Sequence, residues 1–202
     1  MIIRLIALLM CFAGPVLASQ DRWPALYDVT GVASNDTLNV RSGPSGDAQV
    51  IGTLPADARN IEVVQPNDRG SWGRINLGEA SGWVSLRYMA RQPGQVPGMI
   101  PATTQCFGTE PFWGLDLRNG AVFEDPETMA RSFEVTGARM SANRLDRWAI
   151  TGTNGTANMV ATISAQMCSD GMSDRAYGLT IDLVITRPGA TQVYSGCCTL
   201  QP

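Results

Sequence analysis

Apolar and polar positions alternate with a period of two through most of this chain, in short runs broken by Gly, Pro, Asn and Asp. That is the pattern of strands with one buried face; helices repeat their apolar positions every three to four residues. In the first half the runs cover 29–32, 38–41, 50–54, 60–65, 72–76 and 82–84, with turn clusters at 42–46 and 66–70. Strands this short, so regularly spaced, predict a small all-β barrel. Val40, Ile51, Ile61, Val63 and Ile75 fall on its core side by alternation, while Asn39 and Arg41 project to the other face to tie down the loop that follows.

After residue 104 the alternation is cleaner. Trp113, Leu115 and Leu117 lie opposite Phe112, Asp116 and Arg118. Ala157, Met159, Ala161, Ile163, Ala165 and Met167 share one face, and Tyr177, Leu179, Ile181, Leu183 and Ile185 another. Asn119-Gly120 and Asn154-Gly155 predict type I′ hairpins, since that turn needs positive φ at both central residues, and Pro188-Gly189 marks a third turn. The second domain, 104–202, is therefore expected to be an antiparallel meander closed into a barrel or sandwich. Its small inward residues predict a filled interior, and helical turns are expected only at 127–132 and 141–146. Residues 92–103 between the domains hold three prolines and two glycines and show no period. They read as a semi-extended linker, across which the domains need not pack firmly.

Residues 1–18 interrupt the pattern. Arg4, the apolar run 5–13, the break at Gly14-Pro15 and the small residues before Ser19 predict a secretory signal peptide cleaved after Ala18. The run is too short for a membrane span, and bulky Met10 argues against lipidation at Cys11. The expected location is exported, periplasmic or secreted. Charge adds exclusions. The chain has 15 basic and 18 acidic residues, every basic one an arginine, with no lysine and no histidine. An acidic chain without a basic stripe is not built for nucleic acid. Without histidine there is no Ser-His-Asp or Cys-His nucleophile and no histidine-bearing zinc site; without lysine there is no Schiff base and no P-loop. No catalytic set, metal site or cofactor is expected, although a pair of carboxylates remains available for glycoside chemistry.

The four cysteines of the second domain sit in Cys106-x-Gly-Thr-Glu-Pro-Phe-Trp113, Cys168-x-Asp-Gly-Met-Ser-Asp174 and Gly196-Cys-Cys198. In an exported chain they are expected to be bridged. Adjacent Cys197 and Cys198 point to opposite faces of a strand, so each should bond to either Cys106 or Cys168; of these two pairings, Cys106–Cys198 with Cys168–Cys197 is the one expected. A vicinal redox pair is the alternative, disfavoured because little nearby would stabilise a thiolate.

Two resemblances follow from these motifs. Leu38-Asn-Val-Arg-Ser-Gly-Pro-Ser45, Val50-Ile-Gly-Thr-Leu54, Trp72-Gly-Arg-Ile75 and Gly82-Trp-Val84, in this order, resemble the bacterial SH3 (SH3b) domain, placed at 24–91. This implies a barrel of five or six strands closed by a short turn near 86–89, and a module that binds peptidoglycan or an envelope peptide. The three cysteine motifs, with Tyr177, resemble a family of bacterial envelope proteins and lipoproteins, which implies architecture and location but no activity.

Trp72, Trp83 and Tyr88 are the candidate ligand groove of the first domain, weighed against burial in its core. Glu110, Asp170, Asp174 and Arg175 are the polar residues nearest the cysteines. Asp170 and Asp174 flank a loop that can hold Ca²⁺, but Asp capping its own turn amides is the plainer reading. Glu110 pairs with Asp170 or Asp174 in a hydrolase reading, or with Arg175 as a structural ion pair. The chain thus reads as an envelope-binding protein, with a carboxylate hydrolase or a protein inhibitor of a wall-degrading enzyme as the competing classes.

Overall fold

A computed structural model describes residues 22–103 and 105–200; the expected signal peptide lies outside them. The first part holds β1 (Ala25–Val29), β2 (Thr37–Arg41), β3 (Val50–Pro55), β4 (Ile61–Val63), β5 (Gln65–Pro66), β6 (Trp72–Leu77), β7 (Ala80–Ser85) and β8 (Met89–Arg91), with a 3-10 turn at Leu86–Tyr88. These form a three-stranded sheet, β4-β1-β8, and a five-stranded sheet, β3-β2-β7-β6-β5. Between them lies one core of Tyr27, Val29, Leu38, Val40, Leu54, Val63, Ile75, Val84 and Met89. Two expectations fail here. The run at 29–32 is not a strand: the strand lies at Ala25–Val29, and Gly31, at φ 69°, turns the chain away. Ile51 is 40 % exposed because β3 is the edge strand of its sheet. Arg41 does tie its loop, donating from Nη1 to the Ala48 carbonyl at 2.7 Å.

The second part is a closed barrel. Its strands are β9 (Gln105–Thr109), β10 (Phe112–Asp116), β11 (Ala121–Asp125), β12 (Thr128–Met140), β13 (Arg147–Thr153), β14 (Asn158–Ser164), β15 (Leu179–Arg187) and β16 (Ala190–Thr199). Each pairs antiparallel with the next, and β16 returns to β9. Met159, Ala161, Ile163, Leu179, Ile181, Leu183 and Ile185 fill the inside, each no more than 1 % exposed. Asn158, Thr162, Thr180, Asp182 and Thr186 face out. A transmembrane barrel has the opposite arrangement, with an apolar outer band. Among the described residues, no helix is long and apolar enough to cross a membrane.

Local signals mislead at three places in the barrel. Residues 128–132, expected as part of a helical turn, belong to β12, which pairs with β11 on one side and β13 on the other. Two ladders of hydrogen bonds there outweigh the weak helical preference of the segment. Neither Asn-Gly turn is type I′, because only Gly120 (φ 119°) and Gly155 (φ 83°) take positive φ. Instead the Asn154 side-chain oxygen accepts from the amides of Thr156 (3.1 Å) and Ala157 (2.8 Å). Alternation also stops short of Met167, which is 46 % exposed beyond the end of β14.

The two parts pack firmly against each other, and polar side chains carry much of the junction. Gln95 pairs with the backbone of β1 in both directions, accepting from Leu26 N at 2.7 Å and donating to Leu26 O at 2.8 Å. Ile100 and Leu26 then pack on the barrel core. Asn76 does the same to the backbone of Ala176, donating and accepting at 2.9 Å. A Cβ on Gly178 would fall 2.8 Å from the Pro24 ring, so that ring lies directly against the Gly178 backbone. Glu62, 2 % exposed on β4, accepts from the Thr199 hydroxyl and from Leu200 N at 3.0 Å. Glu62→Ala would leave two buried donors without that carboxylate. It is expected to cost about 2 kcal/mol and to lower the melting temperature by about 4–8 °C, splitting the calorimetric transition in two. A single unshifted transition would show that Glu62 does not couple the domains.

Candidate functional site

The outward face of the five-stranded sheet carries Trp72, Arg74 and Asn76 on β6 and Ser81, Trp83 and Ser85 on β7, paired so that Trp72 opposes Ser85 and Arg74 opposes Trp83. All six are half-buried, since alternation turns them away from the core while neighbouring loops partly cover them. The two tryptophans serve different cavities. Trp72 and Tyr88 line a groove of about 450 Å³ with Asp36, Asn39, Arg41 and Ser85. Trp83 lies instead in a larger cleft of about 670 Å³ between the domains, with Ser42, Arg74, Ser173, Asp174 and Arg175. The expected trio is thus divided. Arg74 escaped the sequence reading, although its place between Trp72 and Asn76 on one strand face was there to mark it.

The barrel's side of that cleft is built by the cysteines. The structure pairs Cys106 with Cys198 and Cys168 with Cys197. The first bridge joins directly opposed residues of β9 and β16 inside the barrel, where both cysteines are fully buried. The second reaches outward from β16 and pins the segment 168–177 against the barrel wall. There Tyr177 pairs with Cys168 and meets Phe107 edge-on, ring centroids 5.1 Å apart.

Within that segment Asp170 folds its own loop. Its carboxylate accepts from the amides of Met172 (3.1 Å) and Ser173 (3.0 Å), from Ser173 Oγ (2.7 Å) and from the Tyr177 hydroxyl (3.4 Å). Burial pushes the Asp170 carboxyl up, but these donors outweigh it and hold it below the usual carboxylate range. Burial also raises the Tyr177 hydroxyl above its ordinary value, opposed by the charge of Arg175. The Arg175 guanidinium lies 5.4 Å from the centre of the Tyr177 ring.

The four polar candidates therefore do not act as one set. Asp174 and Arg175 line the interdomain cleft, Asp170 caps the loop behind it, and Glu110 is exposed in the β9–β10 turn. Thr109 Oγ1 donates to the Asp170 carbonyl at 3.0 Å, which joins the turn to the loop by their backbones. Among the described residues Glu110 forms no ion pair, so Arg175 does not hold it, and no group of three or more Asp, Glu or Cys side chains is placed to bind a metal. What the arrangement offers is recognition: aromatic faces, guanidinium donors and hydroxyls on a stiff support.

No curated protein and no solved structure matches the chain. Residues 36–90 match the family model of the bacterial SH3 domain, which covers β2 through most of β8 and includes Trp72, Trp83 and Tyr88. The closing 3-10 turn falls where the resemblance placed it, and with this match residues 36–90 are a bacterial SH3 domain.

Proposed function

We propose that this protein is an exported, non-enzymatic binding protein of the cell envelope, whose SH3 domain recognises peptidoglycan or an envelope peptide. The observation that carries the reading is the groove of Trp72 and Tyr88 on the SH3 domain, with Asp36, Asn39 and Arg41 along it. Two aromatic rings with a few convergent polar groups are what a binding groove needs to hold and orient an extended ligand. Export is supported by the two disulfides, which persist in oxidising compartments. The reading without catalysis is supported by the absence of histidine and lysine and by the occupation of the Asp170 carboxylate within its own loop.

Retention on purified, insoluble peptidoglycan tests this. The unaltered chain should sediment with it, and Trp72→Ala should reduce the bound fraction at least about tenfold, the scale of losing one aromatic anchor. Equal retention of the variant would remove the groove from the reading. A zymogram separates the competing class: clearing of the substrate that disappears in Glu110→Gln would show a hydrolase instead.

A further inference from the structure

The cleft between the domains has a chemistry of its own. Arg74 donates from Nε (3.0 Å) and Nη2 (2.7 Å) to Ser81 Oγ, which fixes its guanidinium and leaves Nη1 without a partner among the described residues. Arg175 is held over Tyr177, and its Nε is buried with no hydrogen-bond partner. Neither arginine takes part in an ion pair among the described residues. Two guanidiniums line one cavity with no carboxylate among the described residues paired to either, a charge that an anion bound there would meet.

We propose that this cleft is a second binding site, separate from the Trp72 groove, and that it takes the carboxylate of a peptide chain. Arg74 and Arg175 supply planar donors suited to a carboxylate. The ring of Trp83 offers an apolar wall, and Ser42 and Ser173 belong to the same lining. Asp174 lines the cleft as well. Its negative charge opposes a phosphate dianion, but it pairs with an ammonium, and a peptide residue can carry carboxylate and ammonium together.

The walls are fixed before a ligand arrives. The Cys168–Cys197 bridge and the Asp170 cap hold the barrel's loop. Asn76 holds Ala176, and Asp174 N donates to the Glu79 carbonyl at 3.1 Å, so the SH3 domain is tied to the same loop. Little ordering is left to oppose binding. Firm docking of the domains, which a simple tether would not need, is thereby given a use.

The inference rests on the wall-binding reading only for the source of the peptide. Calorimetric titration of the exported chain tests it with three probes: soluble disaccharide-peptide fragments of peptidoglycan, the same fragments with their carboxyls converted to methylamides, and the disaccharide alone. The unmodified fragments should bind. Arg74→Gln, Arg175→Gln and methylamidation should each weaken binding at least about tenfold, as expected when a charge-assisted pair is lost. The disaccharide alone should not bind. Methylamidation tests the idea without altering the protein, so a misfolded variant cannot decide the outcome. Fragments that bind equally well after methylamidation, or that do not bind at all, would overturn it. Retention on insoluble peptidoglycan that needs Trp72 but neither arginine removes this site and leaves the SH3 reading standing. Fragment binding that needs the arginines, with no retention dependent on Trp72, does the reverse.

Discussion

Replacing Cys106 and Cys198 together by alanine is expected to lower the melting temperature by about 10–20 °C, more than the same change at Cys168 and Cys197. The reason is topological. The barrel closes where its first strand meets its last, and that seam is short: β9 and β16 share three register pairs, whereas β15 and β16 share nine. One of those three is Cys198 opposite Cys106, so the covalent bond lies in one of the two shortest ladders of the ring, at the seam that closes it. It joins residues separated by 92 positions, against 29 for the other bridge. Chain entropy alone then assigns about 4–5 kcal/mol to the first and about 3–4 kcal/mol to the second. For a chain of this size each kcal/mol corresponds to about 2–4 °C. Thermal unfolding followed by circular dichroism measures both. Should the Cys168–Cys197 pair prove the more important, the seam would not be the limiting element of the barrel. A second observable follows from burial: Cys106 and Cys198 are fully buried whereas Cys168 is half-exposed, so mild reductant should open Cys168–Cys197 first.

The barrel was legible wherever burial imposes a strict period. Leu179, Ile181, Leu183 and Ile185 alternate without a break because β15 is paired on both sides and packs one face inward throughout. The same parity argument separated Cys197 from Cys198, since adjacent residues of a strand cannot face the same way. Where pairing departs from this regularity the sequence misleads. Residues 128–132 sit on a strand with a register shift near Phe123 and Asp125, and their Thr, Met, Ala and Arg also suit a helix. Ile51 looks like core but lies on an edge strand, where one neighbour is missing and the burial it implies is lost.

The union of the domains was not legible, for a physical reason. Asn76 and Glu62 are residues that ordinarily face water, and nothing in their type shows that each meets a backbone partner across the junction. The consequence reaches the site. Trp83 and Arg175 come from different domains and more than 90 positions apart, so no motif could join them; only docking brings both into one lining. The polar candidates near the cysteines were found because the disulfide draws their loop to the barrel, and were misgrouped because Asp170 turns inward on its own amides.

Trp113→Ala is expected to destabilise the barrel by about 3–5 kcal/mol, and the sequence around it explains why the protein cannot easily adjust. Trp113 is 6 % exposed and stacks within an aromatic group, 6.3 Å from Phe123 and 5.7 Å from Tyr194 between ring centres. Its indole also crosses two strands that carry glycine where it passes. A Cβ on Gly108 would stand 2.1 Å from Trp113 Nε1, and one on Gly196 would stand 2.9 Å from Cζ2 and 2.0 Å from the Phe107 carbonyl oxygen. The glycines of the first and third cysteine motifs are therefore the space that the tryptophan fills. Removing the ring leaves a cavity lined on one side by strand backbone, which relaxes little, and on the other by the rings of Phe123 and Tyr194, so the full cost of a large aromatic deletion applies. Gly196→Ala should be severe for the complementary reason: the clash is with a carbonyl of the paired strand, and only separating β9 from β16 relieves it. Such overpacking costs about 1–3 kcal/mol, occasionally more. Gly108→Ala in the Trp113→Ala background should be milder than in the native chain, because the indole it would strike is gone. Denaturant unfolding of the single and double variants gives the coupling directly. If the two changes were simply additive, Gly108 would be there for some other reason than room for the indole.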